Sequence, residues 1–228
     1  MPAKVISGLT SYGDTTRPRI NLSYTRPLAG AVVDFAADNL PLGPLPVWYD
    51  LINGLAAPTR ANYTQPTVVD DGANGRVVRF NGTSDAMLAK VVTPQPMTMV
   101  LVGRIRVLNP TTYLKTGGAT LGTNSTSNWL AFAGTGGAYG PPGLLANTNQ
   151  HILVASFNGN SSALSVDGND RAGQAAGTNG SSLIGFGTDP NSTAFMAIDI
   201  NRFAILPYAA TQAQRDALYQ TLAARYGS

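Results

Sequence analysis

The chain of 228 residues contains no cysteine and no glutamate, and all twelve of its acidic side chains are aspartate. Without thiols there can be no disulfide scaffold, no thiolate zinc site and no cysteine nucleophile. Without glutamate, any mechanism that needs one as acid or base is excluded. His151 is the sole histidine, so a multi-histidine metal centre is impossible. Charge is scarce as well: 12% of residues are charged, roughly half the usual share of about 25%. Asn, Thr, Ser and Gly must therefore cover the surface.

What is present argues for a folded body. Hydrophobic residues make up 43% of the chain, too many for a disordered chain, and the length suits one large all-β domain or two small ones. The pI near 9.3 comes from a formal net charge of only +3, spread along the sequence. A nucleic-acid footprint needs basic groups clustered on one face. The one basic cluster, Arg17, Arg19 and Arg26, is punctuated by Pro18 and Pro27 and lacks interleaved aromatics, so it suits a solvated or partner-docking arm. Residues 1–27 are therefore expected to be an extended arm, and no nucleic-acid partner is expected. No apolar h-region occurs near the start, and the longest apolar stretch, Met97 to Val102, is too short to span a bilayer. The expectation is a protein with no signal peptide and no membrane partner.

From Leu28 onward the rhythm is β. Leu28 to Ala36 has the β-branched content of a first strand, and the proline-rich Asn39 to Pro46 excludes a helix. Val47 to Asp50 follows as a short strand. Gly75 to Thr83 alternates Val77, Arg79 and Asn81 on one face with Val78, Phe80 and Gly82 on the other; Asp85 to Val92 then returns, predicting a hairpin over 75–92. Met97 to Val107 is the strongest strand. Its residues Met97, Met99, Leu101, Gly103, Ile105 and Val107 share one face, and Val100 and Val102 share the other with Arg104 and Arg106, so that this second face begins covered and ends wet. Thr116 to Asn149 suggests short strands between long loops. Gln150 to Gly159 and Ser162 to Gly168 form a second hairpin, and Ser182 to Thr188 and Ala194 to Pro207 complete about eleven strands. One helix closes the chain at about 211–226: Thr211 to Gln214 fits a capping box, Leu218, Leu222 and Tyr226 make one stripe, and Gly227 is placed to stop it. The predicted architecture for 28–228 is an all-β sandwich with that helix packed on it.

The order of these pieces carries a resemblance: Trp48-Tyr49-Asp50, VVRFNGTSDAML, MTMVLVGRI, the pair HILVASFNG and ALSVDG, and the terminal IDINRFAILPYAATQAQRDALYQTLAARYG. From about residue 45 to 227 it resembles the laminin-G-like, concanavalin A-like jelly roll. Stand-alone chains similar to it occur among structural proteins of tailed bacteriophages. The resemblance implies a non-enzymatic virion protein made in the host cytoplasm, foremost a capsid decoration protein that is homo-oligomeric and docks on the major capsid protein or another virion protein. The alternative it implies is a glycan-binding tail or fibre module that recognises a host surface.

Hydrolases sharing this sandwich use a glutamate nucleophile and a glutamate acid, which this chain lacks. Ile198-Asp199-Ile200-Asn201 supplies no carboxylate pair in their place, and strand alternation would send Asp70 and Asp71 to opposite faces. There is no G-x-S-x-G elbow for a relay through His151, which is expected to be a rim residue bonded to a loop. No cofactor is expected. A structural calcium, with Asp70, Asp71, Asp167 and Asp170 as its candidates, is the weaker alternative, because Asp167 to Asp170 also makes a natural tight turn. A glycan site would need an aromatic platform near amides, and Trp129, Tyr139 and Asn149 are the candidates. Trp129 has a plainer alternative as a core residue of NWLAFAG.

Overall fold

The computed structural model describes residues 25–108, 113–123, 128–134, 136–190 and 194–227. Among them are seventeen strands and one α-helix. Nine strands form a large antiparallel sheet. In spatial order its main path runs Asn169–Gln174, Ser162–Val166, His151–Phe157, Met97–Ile105, Ala197–Leu206, Arg76–Asn81, Thr67–Asp70 and Gly43–Pro44, with Val33–Ala36 also paired to Ala197–Leu206. Six strands form the opposing sheet, in the order Ala138–Tyr139, Trp129–Phe132, Thr120–Thr123, Tyr113–Thr116, Ile184–Phe186 and Met87–Ala89. Val47–Tyr49 and Ala56–Pro58 make a small separate pair. The all-β expectation holds, and several of the extra strands are pieces of two to four residues, too short to show a period.

Alternation along the long strands sets the core. Met97, Met99, Leu101, Leu153, Ala155, Phe157, Ile198, Ile200, Phe203 and Ile205 meet Leu114, Leu121, Trp129, Ala131, Ile184 and Phe186 of the opposing sheet in one buried cluster. Within it Phe35, Trp48, Phe186 and Phe203 form a chain of tilted and edge-on rings with centroids 5.1–5.7 Å apart, the geometry that ring quadrupoles favour.

The hairpin expected over 75–92 does not form. Arg76–Asn81 belongs to the large sheet and Met87–Ala89 to the opposing one. The cause is local: the Asn81 side-chain oxygen accepts from the backbone amides of Thr83, Ser84 and Asp85, and the Asp85 carboxylate accepts back from the Asn81 amide. That knot carries the chain across the sandwich rather than back along the same sheet. The second predicted hairpin is present, with His151–Phe157 paired to Ser162–Val166.

The helix, Gln212–Tyr226, begins at a complete capping box on Thr211 and Gln214. It lies on the outer face of the large sheet, where Leu222 and Tyr226, with Leu218 beside them, pack on Val100, Val102, Ile152, Val154, Ala204 and Leu206. The helix covers only part of that face. Beyond Val102 the same strand turns Arg104 outward, half-buried, and ends at Ile105; Arg106 follows exposed, and Val107, expected on the core face, is 58% exposed because the pairing has already stopped. None of the described helices is long and apolar enough to cross a membrane.

Candidate functional site

The bare part of the outer face is organised by register. Asp199 stands directly opposite Arg104 on one neighbouring strand and Arg79 on the other, while Ile198 and Ile200 alternate into the core. Asp199 is fully buried. Its Oδ1 accepts from Arg79 Nε at 2.9 Å, and its Oδ2 accepts from Arg79 Nη2 at 2.8 Å and Arg104 Nε at 3.0 Å. Asp71 bridges the same two arginines: its Oδ1 accepts from Arg79 Nη2 at 2.9 Å and Arg104 Nη2 at 2.8 Å, and its Oδ2 accepts from the Asn74 amide at 2.7 Å. Arg106 Nε approaches Asp199 Oδ1 to 3.9 Å. Three guanidinium groups thus surround two carboxylates.

Protonation follows this geometry. Partial burial works against the Asp71 carboxylate, but the Asn74 amide and the Arg104 and Arg79 cations outweigh it and hold its pKa below the ordinary value. The hydrogen bond from Arg79 to Asp199 raises the Arg79 pKa further. Asp71 and Arg79 are therefore both held in their charged forms at neutral pH.

Two backbone features bring these strands together. Gly103 sits opposite a register shift between Ile200 and Arg202, and a Cβ there would meet the Asp199 carbonyl oxygen at 2.3 Å. Only glycine permits that approach. Asn201, carried by the same irregularity, donates from Nδ2 to the carbonyls of Asn74 at 2.7 Å and Arg76 at 3.0 Å, which ties the 72–76 turn to the sheet.

Beside the cluster lies an open groove of about 430 Å³, lined among others by Asn74, Arg104, Thr148, Asn149, Gln150 and Tyr226. Gln150 Nε2 donates to the Tyr226 carbonyl at 3.0 Å, so the last turn of the helix forms one wall and the 148–150 loop another. Of the cluster's three arginines Arg104 lines the groove, and its walls offer amides.

The sequence-derived candidates fall in different places. Trp129 is corrected: at 1% exposure it is enclosed between the sheets, edge-on to His151 at a centroid distance of 4.8 Å, and presents no face to a ligand. Its alternation with the half-buried Leu130 turns it inward. Tyr139 is 44% exposed at the edge of the opposing sheet, its backbone amide and carbonyl both bonded to the Gln174 side chain at 2.8 Å. It does not line the groove. Asn149 does. Arg17 and Arg19 lie outside the described residues. Arg26 is exposed, and its backbone carbonyl accepts from Arg202 Nη2 at 2.9 Å.

His151 is buried and structural: Nδ1 is 2.6 Å from Asp167 Oδ2, and Nε2 is 3.0 Å from the Asn147 side-chain oxygen. The calcium candidates have other partners as well. Asp70 accepts from the Gly72 amide, Asp71 serves the arginines, Asp167 holds His151 and the Ile152 amide, and Asp170 forms a two-point pair with Arg215 at 2.6 and 2.7 Å. Among the described residues no three acidic or histidine side chains converge as metal ligands would. The arginine cluster was not among the candidates, although the wet faces of both of its arginine-bearing strands were legible.

No family model matches the chain, and no curated protein matches its sequence. Solved structures do share its fold. The binding domain of Paraclostridial Mosquitocidal Protein 1 superposes with a TM-score of 0.62 at 13% identity, over 85% of this chain and 52% of that one. Domain 4 of AbnA, a GH43 extracellular arabinanase from Geobacillus stearothermophilus in complex with arabinotriose, gives 0.63 at 14% identity, over 83% of this chain and 98% of the domain. Trypanosoma rangeli sialidase in complex with sialic acid gives 0.60 at 16% identity, over 89% of this chain. The chain spans about half of the mosquitocidal binding domain and 34% of the sialidase. At these identities the likeness defines the class by fold alone: an all-β sandwich of the jelly-roll-like kind, shared with toxin binding domains and a domain of a glycan-degrading enzyme.

Proposed function

We propose that this chain is a glycan-binding module that works without catalysis. The observation that carries the reading is the groove itself. Asn74, Asn149 and Gln150 place planar amides around a space large enough for a few sugar units, beside arginines whose orientation is fixed before any ligand arrives. Sugar hydroxyls both donate and accept, and amides match that with both functions in one side chain. Fixed polar groups also lose little entropy on binding. Fold relatives seen with arabinotriose and with sialic acid support the same reading. Catalysis is disfavoured by the use already made of the carboxylates: Asp71 and Asp199 are each held by two arginines, and the pKa of Asp71 is lowered, the opposite of what a general acid for a leaving group needs.

The resemblance in sequence also implied a decoration protein on a phage head. The fold relatives named above include a domain in complex with arabinotriose and a sialidase in complex with sialic acid, so glycan binding is the reading carried forward.

The test is a glycan array followed by calorimetric titration of the strongest hits against wild type and Asn149→Ala. Asn149 is exposed, so the variant should keep its unfolding midpoint. Loss of one ligand hydrogen bond should weaken binding roughly three- to tenfold. Saturable binding that is indifferent to Asn149→Ala would place the site elsewhere, and an array without hits would defeat the proposal.

A further inference from the structure

We infer that the groove selects saccharides bearing a carboxylate, an inference that rests on the glycan-binding reading and narrows it. Arg79, Arg104 and Arg106 carry three positive charges against two negative charges on Asp71 and Asp199, leaving a net charge of +1 on the cluster. The neighbouring Asp70 and Arg76, opposite each other in register, add one charge of each sign and leave that sum unchanged. The helix end, a partial negative pole, is met by the Gln150 amide, which donates to the carbonyls of Tyr226 at 3.0 Å and Gly227 at 3.4 Å.

Donor count points the same way. A guanidinium has five N–H donors on a planar fork. Arg79 and Arg104 each spend the Nε and Nη2 side on the aspartates, and their Nη1 groups have no protein partner within hydrogen-bond distance among the described residues. Arg106 is held most loosely, with Asp199 at 3.9 Å and the Phe80 carbonyl at 3.5 Å, and its side chain is 37% exposed. A planar carboxylate is the group that such edges bind best. The aspartates orient the arginines without using their outward donors, so a uronic acid or another carboxylated sugar in the groove would complete the alternation of charges.

The experiment titrates the full chain with trigalacturonate and 3′-sialyllactose, and with their neutral counterparts galactotriose and lactose, at two salt concentrations. The expected result is at least about tenfold tighter binding of an acidic ligand than of its neutral counterpart, with the advantage shrinking at high salt. Arg104→Gln, at the arginine that lines the groove, should reduce that advantage several-fold and flatten its salt dependence; a purely structural arginine would lower the unfolding midpoint and leave the ratio of acidic to neutral binding unchanged. Equal binding of acidic and neutral ligands would overturn the carboxylate preference and leave the glycan-binding proposal standing. If none of the four ligands binds while the array gives other, neutral hits, the preference again falls alone; if nothing binds at all, both fall.

Discussion

The outer face of the large sheet is one surface built in two ways. At the end that carries Val100, Val102, Ala204 and Leu206 it is apolar, and the helix closes it with Leu222 and Tyr226. A few residues along the same strands it carries Arg104, Asp199 and, on the next strand, Arg79, and no element among the described residues covers these half-exposed arginines. The covered end is stabilised by area removed from water, at about 25 cal/mol per Å². The bare end is held by directed charge pairs whose positions follow from register. The difference shows where function can reside: a closed apolar contact has no capacity left for a ligand, whereas a paired polar surface keeps outward donors.

The first way to break this comparison is to weaken the covered end. Leu222 is 1% exposed in the helix contact, and truncating a buried leucine costs about 2–5 kcal/mol. Leu222→Ala should lower the urea midpoint accordingly, with little dependence on added sodium chloride. If the loss were below about 1 kcal/mol, the helix would be an ornament on the sheet and the asymmetry between the two ends would vanish.

At the bare end the corresponding change is Asp199→Asn, which removes the carboxylate shared by Arg79 and Arg104. Stripping one partner from a buried ion pair costs about 3–5 kcal/mol. Here the arginine side chains are 27% and 31% exposed, and water rescues part of that, so a loss of about 2 kcal/mol is expected. Unlike the leucine truncation, it should shrink as salt rises. Urea melts at low and high ionic strength would separate the two behaviours. A salt-independent loss would mean that Asp199 acts through packing rather than charge.

Much of this surface was legible in the sequence, and its limits have physical causes. Alternation from Met97 to Ile105 distinguished the core face from one that starts apolar and ends basic, because strand periodicity is local. The capping box on Thr211 and the stripe Leu218, Leu222, Tyr226 located the helix for the same reason. What alternation cannot supply is which strands lie side by side. Arg79, Arg104 and Asp199 are separated by up to 120 positions and meet only through the pairing of three strands, so the cluster was invisible even though each outward face was not. The hairpin expected over 75–92 failed on a related point: strand period says nothing of which sheet a strand joins, and the Asn81 knot decided it. Trp129 illustrates a third limit. A large aromatic among glycines fits a platform or a core, burial habit favours the core, and its inward position beside Leu130 bears that out.

The smallest expected effect concerns acid and isolates the bare end most cleanly. The folded pKa of Asp71 lies below the ordinary aspartate value of 3.8, its partial burial being overcome by Asn74, Arg104 and Arg79. A carboxylate whose pKa is depressed on folding binds fewer protons folded than unfolded, so its contribution is complete above the unfolded value and drains away as pH falls through the folded one. Asp71→Asn removes this contribution at every pH. The stability gap between wild type and variant should therefore be constant from neutrality down to about pH 5, begin to close near 3.8, and be smallest where Asp71 is protonated in both states. Its size should fall below that of Asp199→Asn, because the Asp71 side chain is 14% exposed and that of Asp199 is 1%. Leu222→Ala, which alters no charge, should show no such closing gap in thermal melts across the same pH series. If both gaps closed together, the acid sensitivity would belong to the whole sandwich. If only the Asp71 gap closed, the arginine cluster would be established as the charge-held half of this sheet.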